Sequence, residues 1–347
     1  MKYIKFDDLL NFTQQVCLKA GMEKETSYAV SFGLCETSLR GVDSHGIRLL
    51  PHYINSVLLG RKNPKPDYKV HRNYPAFITL DADNTFGHAA GFKAIELGID
   101  AANKFGLSAV SVYNSSHPGA MASFALKAAR KGYIAFAFTH ADSLVCSFNG
   151  KDKYFGTNPI CFAAPRKNSE PFCLDMAPTG ISWNKLLNMK ENKIDIPTNL
   201  VADKNGMATT EPNEVNSLLP IGGYKGFGLA AMGEVLCGVL SGMNFGQSIP
   251  KMFDSSMEKP RKLGQFYIVC RADIAISQDI FESRMAKMSS EVRNLEPKEK
   301  NTKVQMPNDP EIMETKKRNK QGIPIDNMLE KKLNQISLKV GLKENLI

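Results

Sequence analysis

Along the first sixty residues, apolar side chains recur at the three- and four-residue spacing of amphipathic helices. Phe6, Leu9, Leu10, Phe12, Val16 and Cys17 form one run that breaks at Gly21, and a second run covers residues 25–39. After Ser44-His-Gly46 the pattern predicts a short helix from about 47 to 59, stopped by Gly60. Asn63-Pro-Lys-Pro66 then separates these helices from a region of different character. Residues 76–80 and 108–113 are short apolar runs with the composition of strands, and a helix is expected over about 90–105 between them. A helix at 120–131, strands at 134–139, 161–164, 171–174 and 265–270, and a helix at 279–294 continue the alternation. From 311 the lysine-rich end is helical again, interrupted by Gly322-Ile-Pro324. The mixture predicts an α/β core with a helical amino-terminal arm.

At 347 residues the chain is long enough to bury a large core, and its 43% hydrophobic and 23% charged content is that of an ordinary soluble protein. The net charge of +9 raises the question of a nucleic-acid partner. However, the lysines are interleaved with acids, as in Lys298-Glu-Lys300 and Glu330-Lys-Lys332, without aromatic residues to stack on bases. A solvated helical surface accounts for them better, and it would also draw in an anionic substrate or dinucleotide. A basic nucleic-acid-binding protein is the distant alternative; it leaves the motifs below unexplained. The seven cysteines are scattered, odd in number and free of Cys-x-x-Cys spacing, which points to reduced thiols in a cytoplasmic protein. The amino terminus lacks the pattern of a secretory signal, and the most apolar stretch, 226–242, carries Glu234 and repeated glycine. It reads as a core helix, so no membrane span is expected.

Chemistry concentrates in a few places. Gly222-Gly-Tyr-Lys-Gly-Phe-Gly228 precedes an apolar helical segment. Glycines that permit positive φ, a helix start and the charge of Lys225 would together hold a phosphate, although an ordinary turn has the same composition. The order of residues is neither that of a Walker loop nor that of the Rossmann fingerprint. His117, in Ser115-Ser-His-Pro-Gly119, sits at a strand-to-helix turn, where an imidazole can take a proton from an alcohol. His45 lies at another break, with Asp43 and Arg48 nearby. Asp175 ends a predicted strand and could hold a ribose hydroxyl; Gly156-Thr-Asn-Pro159 is a turn by composition. No histidine spacing suits zinc, and no metal is expected.

Taken in order, Ser44-His-Gly46, Ser116-His-Pro-Gly119, Gly156-Thr-Asn-Pro159, Leu174-Asp-Met-Ala177 and Gly222-Gly-Tyr-Lys-Gly-Phe-Gly228 resemble the malate/L-lactate dehydrogenase type 2 family, over nearly the whole chain. Pro307-Asn-Asp-Pro-Glu311 and Gly322-Ile-Pro324 are similar to its carboxyl-terminal pattern. The resemblance implies a three-layer, non-Rossmann α/β core with a mixed sheet. An N-terminal helical arm (1–66) would pack with a C-terminal helical segment (306–347), flanking a cofactor- and substrate-binding core (67–305). It implies a nicotinamide-dependent oxidoreductase acting on a small 2-hydroxy acid or imine, working as a homodimer or a dimer-based oligomer. By the same resemblance His117 is the catalytic base, His45 is a catalytic residue beside it, and His45 and Arg48 face the substrate. Lys225, Gly223, Gly226, Asp175, Met176 and Ala177 hold the cofactor, with Asp142, Pro307, Asn308 and Asp309 as weaker candidates. Segments 154–165, 202–212 and 244–265, including Met252-Phe-Asp254, are most similar to the ureidoglycolate-oxidising branch, which implies NAD, with NADP as the other candidate. Malate, lactate or a cyclic imine acid are the rival substrates. Two departures from the pattern stand out: Leu49 occupies the usual arginine position, and Ala141 replaces a serine near the cofactor.

Overall fold

A computed structural model of the chain describes residues 1–191, 194–253 and 256–342; Asp254, from the similarity above, lies outside them. Strand β1 (Lys2–Ile4) and helices α1 (Phe6–Lys19), α2 (Lys24–Leu39) and α3 (Leu50–Leu58) come first, with tight 3-10 turns at Asp43–His45 and Ile47–Leu49 between α2 and α3. Then follow β2 (Lys69–Tyr74), β3 (Phe77–Asp81), α4 (Gly87–Phe105), β4 (Leu107–Ser115), α5 (Ala122–Ala129) and β5 (Tyr133–Thr139). Short strands β6 (Val145–Cys146) and β7 (Lys153–Phe155) lead to β8 (Ile160–Ala164) and β9 (Phe172–Met176). Helix α6 (Trp183–Glu191), strands β10 (Val201–Ala202), β11 (Ala208–Thr209) and β12 (Ser217–Leu218), and helix α7 (Tyr224–Glu234) come next. Strand β13 (Leu263–Arg271), α8 (Gln278–Arg293), α9 (Asp309–Gln321), β14 (Ile323–Ile325) and α10 (Asn327–Lys339) complete the order.

The main sheet has seven strands in the order β2-β3-β4-β13-β5-β8-β9. Only β3 and β4 run parallel, joined by α4 as a crossover; every other neighbouring pair is antiparallel. One face carries alternate buried residues such as Ile78, Leu80, Val110, Val112 and Tyr267, which meet α4 and α5 in the largest core. The opposite face presents Phe138 and Phe266 to Cys237, on the π-helical stretch Val235–Val239 that continues α7. Helix layer, mixed sheet and second helix layer make the three-layer, non-Rossmann core that the motifs implied.

The outer helices fasten the two ends of the chain together. Strands β1 and β14 pair antiparallel, with Lys2 opposite Ile325 and Ile4 opposite Ile323. Arg318 on α9 is nearly buried; it donates to the Ser38 carbonyl at 2.6 Å and to both carboxylate oxygens of Asp43 at 2.6 and 2.9 Å. A smaller five-stranded sheet, β11-β10-β12-β6-β7, has its own core of Ile181, Leu186, Ile196, Val201 and Leu218. Leu144 and Trp183 pack against that core and also line the cavity that His45 and His117 border, so the small sheet forms part of its wall.

Candidate active site

A cavity of about 590 Å³ lies where the turn after β4 and the loop after β5 meet the end of β9, the Asp43–His45 turn and the start of α6. His117 is delivered to it by the turn between β4 and α5. Two residues on, Gly119 has φ +74°, and a side chain there would meet the buried His88 ring at 2.6 Å, so the turn needs glycine for conformation and for space. His117 Nδ1 lies 2.7 Å from the hydroxyl of Tyr53 on α3, leaving Nε2 as the nitrogen not committed to Tyr53. His45 enters from the Asp43–His45 turn, with Nδ1 2.9 Å from the Ser44 hydroxyl and its ring stacked 5.8 Å from that of His117. Burial lowers the His45 pKa to about 4. Burial is also the main cause holding His117 well below the usual histidine value, and His45, Arg261 and Lys62 add repulsion against a positive imidazole. Both rings are therefore neutral near pH 7.

Asp175, Met176 and Ala177 line the same cavity at the end of β9. Asp175 opens to water yet is hemmed in closely by protein, and this desolvation raises its pKa to about 6 against a bond from the Ala122 backbone N–H at 2.8 Å. It also borders a second cavity of about 380 Å³, and the two lobes share Val42, Ala120 and Asp175 on their walls. Pro307 and Asn308 line the second lobe. The Asn308 side chain is committed to the frame, accepting from Arg40 at 2.8 Å and donating to the Pro171 carbonyl at 2.9 Å. Asp309 turns away and pairs with Arg293 through two bonds of 2.7 and 2.6 Å.

Asp142 lines the first lobe in ion-paired contact with Arg261, a residue that no motif flagged. Arg261 is buried on the same wall; its Nε donates to the Pro250 carbonyl at 2.9 Å, while Nη1, itself buried, has no hydrogen-bond partner among the described residues. It stands in an irregular segment before β13, where nothing in the sequence distinguishes it from neighbouring surface lysines. Ala141 and Ser143 also line this lobe. Asn158 explains the Gly156-Thr-Asn-Pro159 turn: it is fully buried, accepts from the Ala141 N–H at 3.0 Å and donates to Glu234 at 2.7 Å. That turn therefore ties the loop after β5 to α7.

Two residues stand elsewhere than expected. Arg48 does not border either lobe; it is exposed and pairs with Asp326 at 2.7 Å, at the start of α10, while Leu49 packs into the core. The glycine-rich segment is only in part a turn. Gly222 and Gly223 have φ of 59° and 63°, and α7 already begins at Tyr224. Gly226 is buried, its N–H bonds the Ile221 carbonyl at 2.9 Å, and a side chain there would meet that oxygen at 2.3 Å, so this glycine serves close packing. Lys225 is exposed and borders neither lobe, whereas Gly223 borders a third cavity of about 1060 Å³. The segment is nevertheless stitched to the strand end that carries Asp175, since Ile221 N–H donates to the Pro178 carbonyl at 3.0 Å and Pro220 bridges Thr179.

Two adjoining lobes, one bearing neutral imidazoles and a buried guanidinium and the other lined by Asp175 and Glu311, suit a long cofactor beside a small anion. The sequence pattern of the malate/L-lactate dehydrogenase family matches residues 4–334. The chain belongs to that family. Ureidoglycolate dehydrogenase (NAD(+)) of Escherichia coli (strain K12) is 33% identical over 307 residues, covering 88% of each chain. Malate dehydrogenase of Pyrococcus abyssi is 33% identical over 347 residues, covering 97% of this chain and 94% of that one. The structure of sulfolactate dehydrogenase from Methanocaldococcus jannaschii superposes with a TM-score of 0.91 at 30% identity, covering 99% of this chain and 98% of that one. As a member of this hydroxy-acid dehydrogenase family the chain is an oxidoreductase acting on a CH–OH group, with a nicotinamide cofactor implied. Among the described residues, no helix is long and apolar enough to cross a membrane.

Proposed function

We propose that the protein oxidises ureidoglycolate to oxalurate with NAD. The observation that carries this reading is His117, neutral and held by Tyr53, on the wall of the cavity that also contains buried Arg261. When bound, the nicotinamide supplies the acceptor for the hydride on the hydroxyl-bearing carbon. His117 Nε2 takes the hydroxyl proton as the C–H bond breaks, so that the alcohol becomes a carbonyl without building up positive charge on oxygen. Arg261, buried on the cavity wall, is assigned to the substrate carboxylate, the role expected of Arg48 from sequence. His45 covers the substrate beside His117, and Trp183 and Phe253 on the cavity wall help to exclude water.

The two lobes fit an extended dinucleotide, with Asp175 at their junction to accept from a ribose hydroxyl. Asp175 and Glu311 both line the second lobe, and its cation Arg40 is engaged by Asn308. That charge balance favours a neutral ribose diol over a 2′-phosphate, hence NAD over NADP. Lys225 borders neither lobe, and it is assigned to cofactor phosphates that reach beyond them, toward the segment tied to the strand end of Asp175. Helix α7 and its continuation leave Met232, Val235, Val239 and Leu240 in a largely solvent-facing apolar row. A second copy of the chain is the occupant we assign to it. Seven unpaired cysteines suit a cytoplasmic setting.

The second reading is malate oxidation, favoured by the archaeal malate dehydrogenase, which is as similar over more of the chain. Both substrates share the 2-hydroxy carboxylate and differ in what lies beyond it. The test is NADH formation over ureidoglycolate, malate, lactate and sulfolactate. Highest kcat/KM on ureidoglycolate is the expected result; malate turned over tenfold faster would replace the substrate while leaving the reaction class intact.

A further inference from the structure

Beneath His117 lies an unusual buried group of side chains that the proposed reaction does not yet use. Tyr53 is fully buried, and its hydroxyl is placed 2.7 Å from His117 Nδ1 and 3.3 Å from the carbonyl oxygen of His117. Lys62, also buried, holds its Nζ 4.2 Å from the centre of the Tyr53 ring and 4.4 Å from that of Phe86, with no hydrogen-bond partner among the described residues. His88 packs edge-on against Tyr53 at 5.6 Å, and Phe86 does the same at 5.8 Å. The phenol ring is thus clamped on several sides, and its oxygen has little freedom to leave His117.

A tyrosine hydroxyl carries one proton and two acceptor sites. If that proton pointed at Nδ1, the imidazole would carry its own hydrogen on Nε2 and could accept nothing from a substrate. With the backbone carbonyl of His117 available, the hydroxyl can instead donate there and accept N–H from Nδ1. This second arrangement satisfies all three groups and leaves the Nε2 lone pair for the cavity. It also keeps an acceptor on Nδ1 once Nε2 has taken a proton, which stabilises the imidazolium that forms.

We infer that Tyr53, clamped by Lys62, Phe86 and His88, is a positioning residue that sets the tautomer of His117 so that Nε2 is the proton acceptor. The inference rests on His117 being the base. The charged and titratable groups facing the histidine are His45, His88, Lys62 and Arg261, all of which oppose its protonation; Tyr53 alone among these neighbours offers an acceptor to Nδ1–H.

Tyr53→Phe keeps the ring and its clamp and removes only the hydroxyl. In the full-length protein labelled with 15N-histidine, the His117 ring nitrogens should report Nδ1–H in the parent and a shift toward Nε2–H in the variant. The turnover number should fall at least about tenfold with KM for hydroxy acid and cofactor within about twofold, and the acid limb of the kcat profile should move to lower pH. Lys62→Met, which leaves the hydroxyl in place, should preserve the parent tautomer and serves as the control for disturbed packing. An unchanged tautomer in Tyr53→Phe would overturn the inference whatever happens to activity. If the tautomer shifts but both Tyr53→Phe and His117→Ala keep the parent kcat, the positioning stands and the base assignment is what fails.

Discussion

At His117, burial and nearby positive charge act in the same direction and keep the imidazole neutral. Oxidation needs that neutral form, so kcat should hold its plateau through neutrality and fall only on a limb below the ordinary histidine pKa, as protonation removes the acceptor. Replacing His117 by Ala should lower kcat on the order of a hundredfold or more, measured as NADH formation at saturating substrate. Asp175 moves the other way: with its pKa raised to about 6, it loses its charge as the pH falls through that value. Cofactor affinity, followed by fluorescence titration, should therefore weaken from pH 7 to pH 5, and Asp175→Asn should flatten the profile. Lys225→Ala should weaken cofactor binding about tenfold, the worth of one charge-assisted contact. Unchanged affinity there would remove Lys225 from the site. That His117, His45 and Asp175 are candidates was legible in the sequence, because each sits in a short motif at an element boundary, and all three line one cavity. Arg261 was not, since its importance comes from burial beside Asp142, which residue order does not encode. Arg48 shows the converse, because closeness to His45 in sequence does not determine which way a helical side chain faces.

Among the strands of the main sheet, those with a buried face were readable and the exposed one was not. Strands β3, β4, β5 and β13 match the expected runs to within two residues at each end, because burial imposes apolar side chains on them. Strand β2 was missed: all six of its residues are exposed, so it has neither alternation nor an apolar run to betray it. The two-residue strands of the small sheet are too short to carry a period. Helix α7 was foreseen, but its π-helical continuation was not, and neither was the apolar row it leaves in solvent. Val235 is 55% exposed and Val239 57%, an arrangement that a monomer would not favour. Val235→Asp with Val239→Asp should shift the sedimentation of the protein from dimer to monomer. A parent protein that already sediments as a monomer would refute the second-copy assignment.

At the scale of the whole molecule, Arg318 joins segments almost three hundred residues apart, bonding Ser38, Asp43 and Glu314 from a nearly buried position. Arg318→Ala removes these charge-assisted bonds and should cost about 1.5–3 kcal/mol, read as a lower midpoint in thermal denaturation. The resemblance implied that the two ends of the chain come together, but the pairing of β1 with β14 and the Arg318 contacts that fasten them could not be read from residue order. The order of the main sheet has a further effect on the chain as it is made. Strands β4 and β5 are not neighbours; β13 lies between them and is synthesised more than 120 residues after β5 ends. A nascent chain halted before residue 263 would expose two unpaired strand edges, bearing the apolar residues of the largest core. Such edges are sticky. The period between the emergence of β5 and the arrival of β13 is thus when this protein most needs a chaperone, and slow translation of that interval should raise the fraction lost to aggregation.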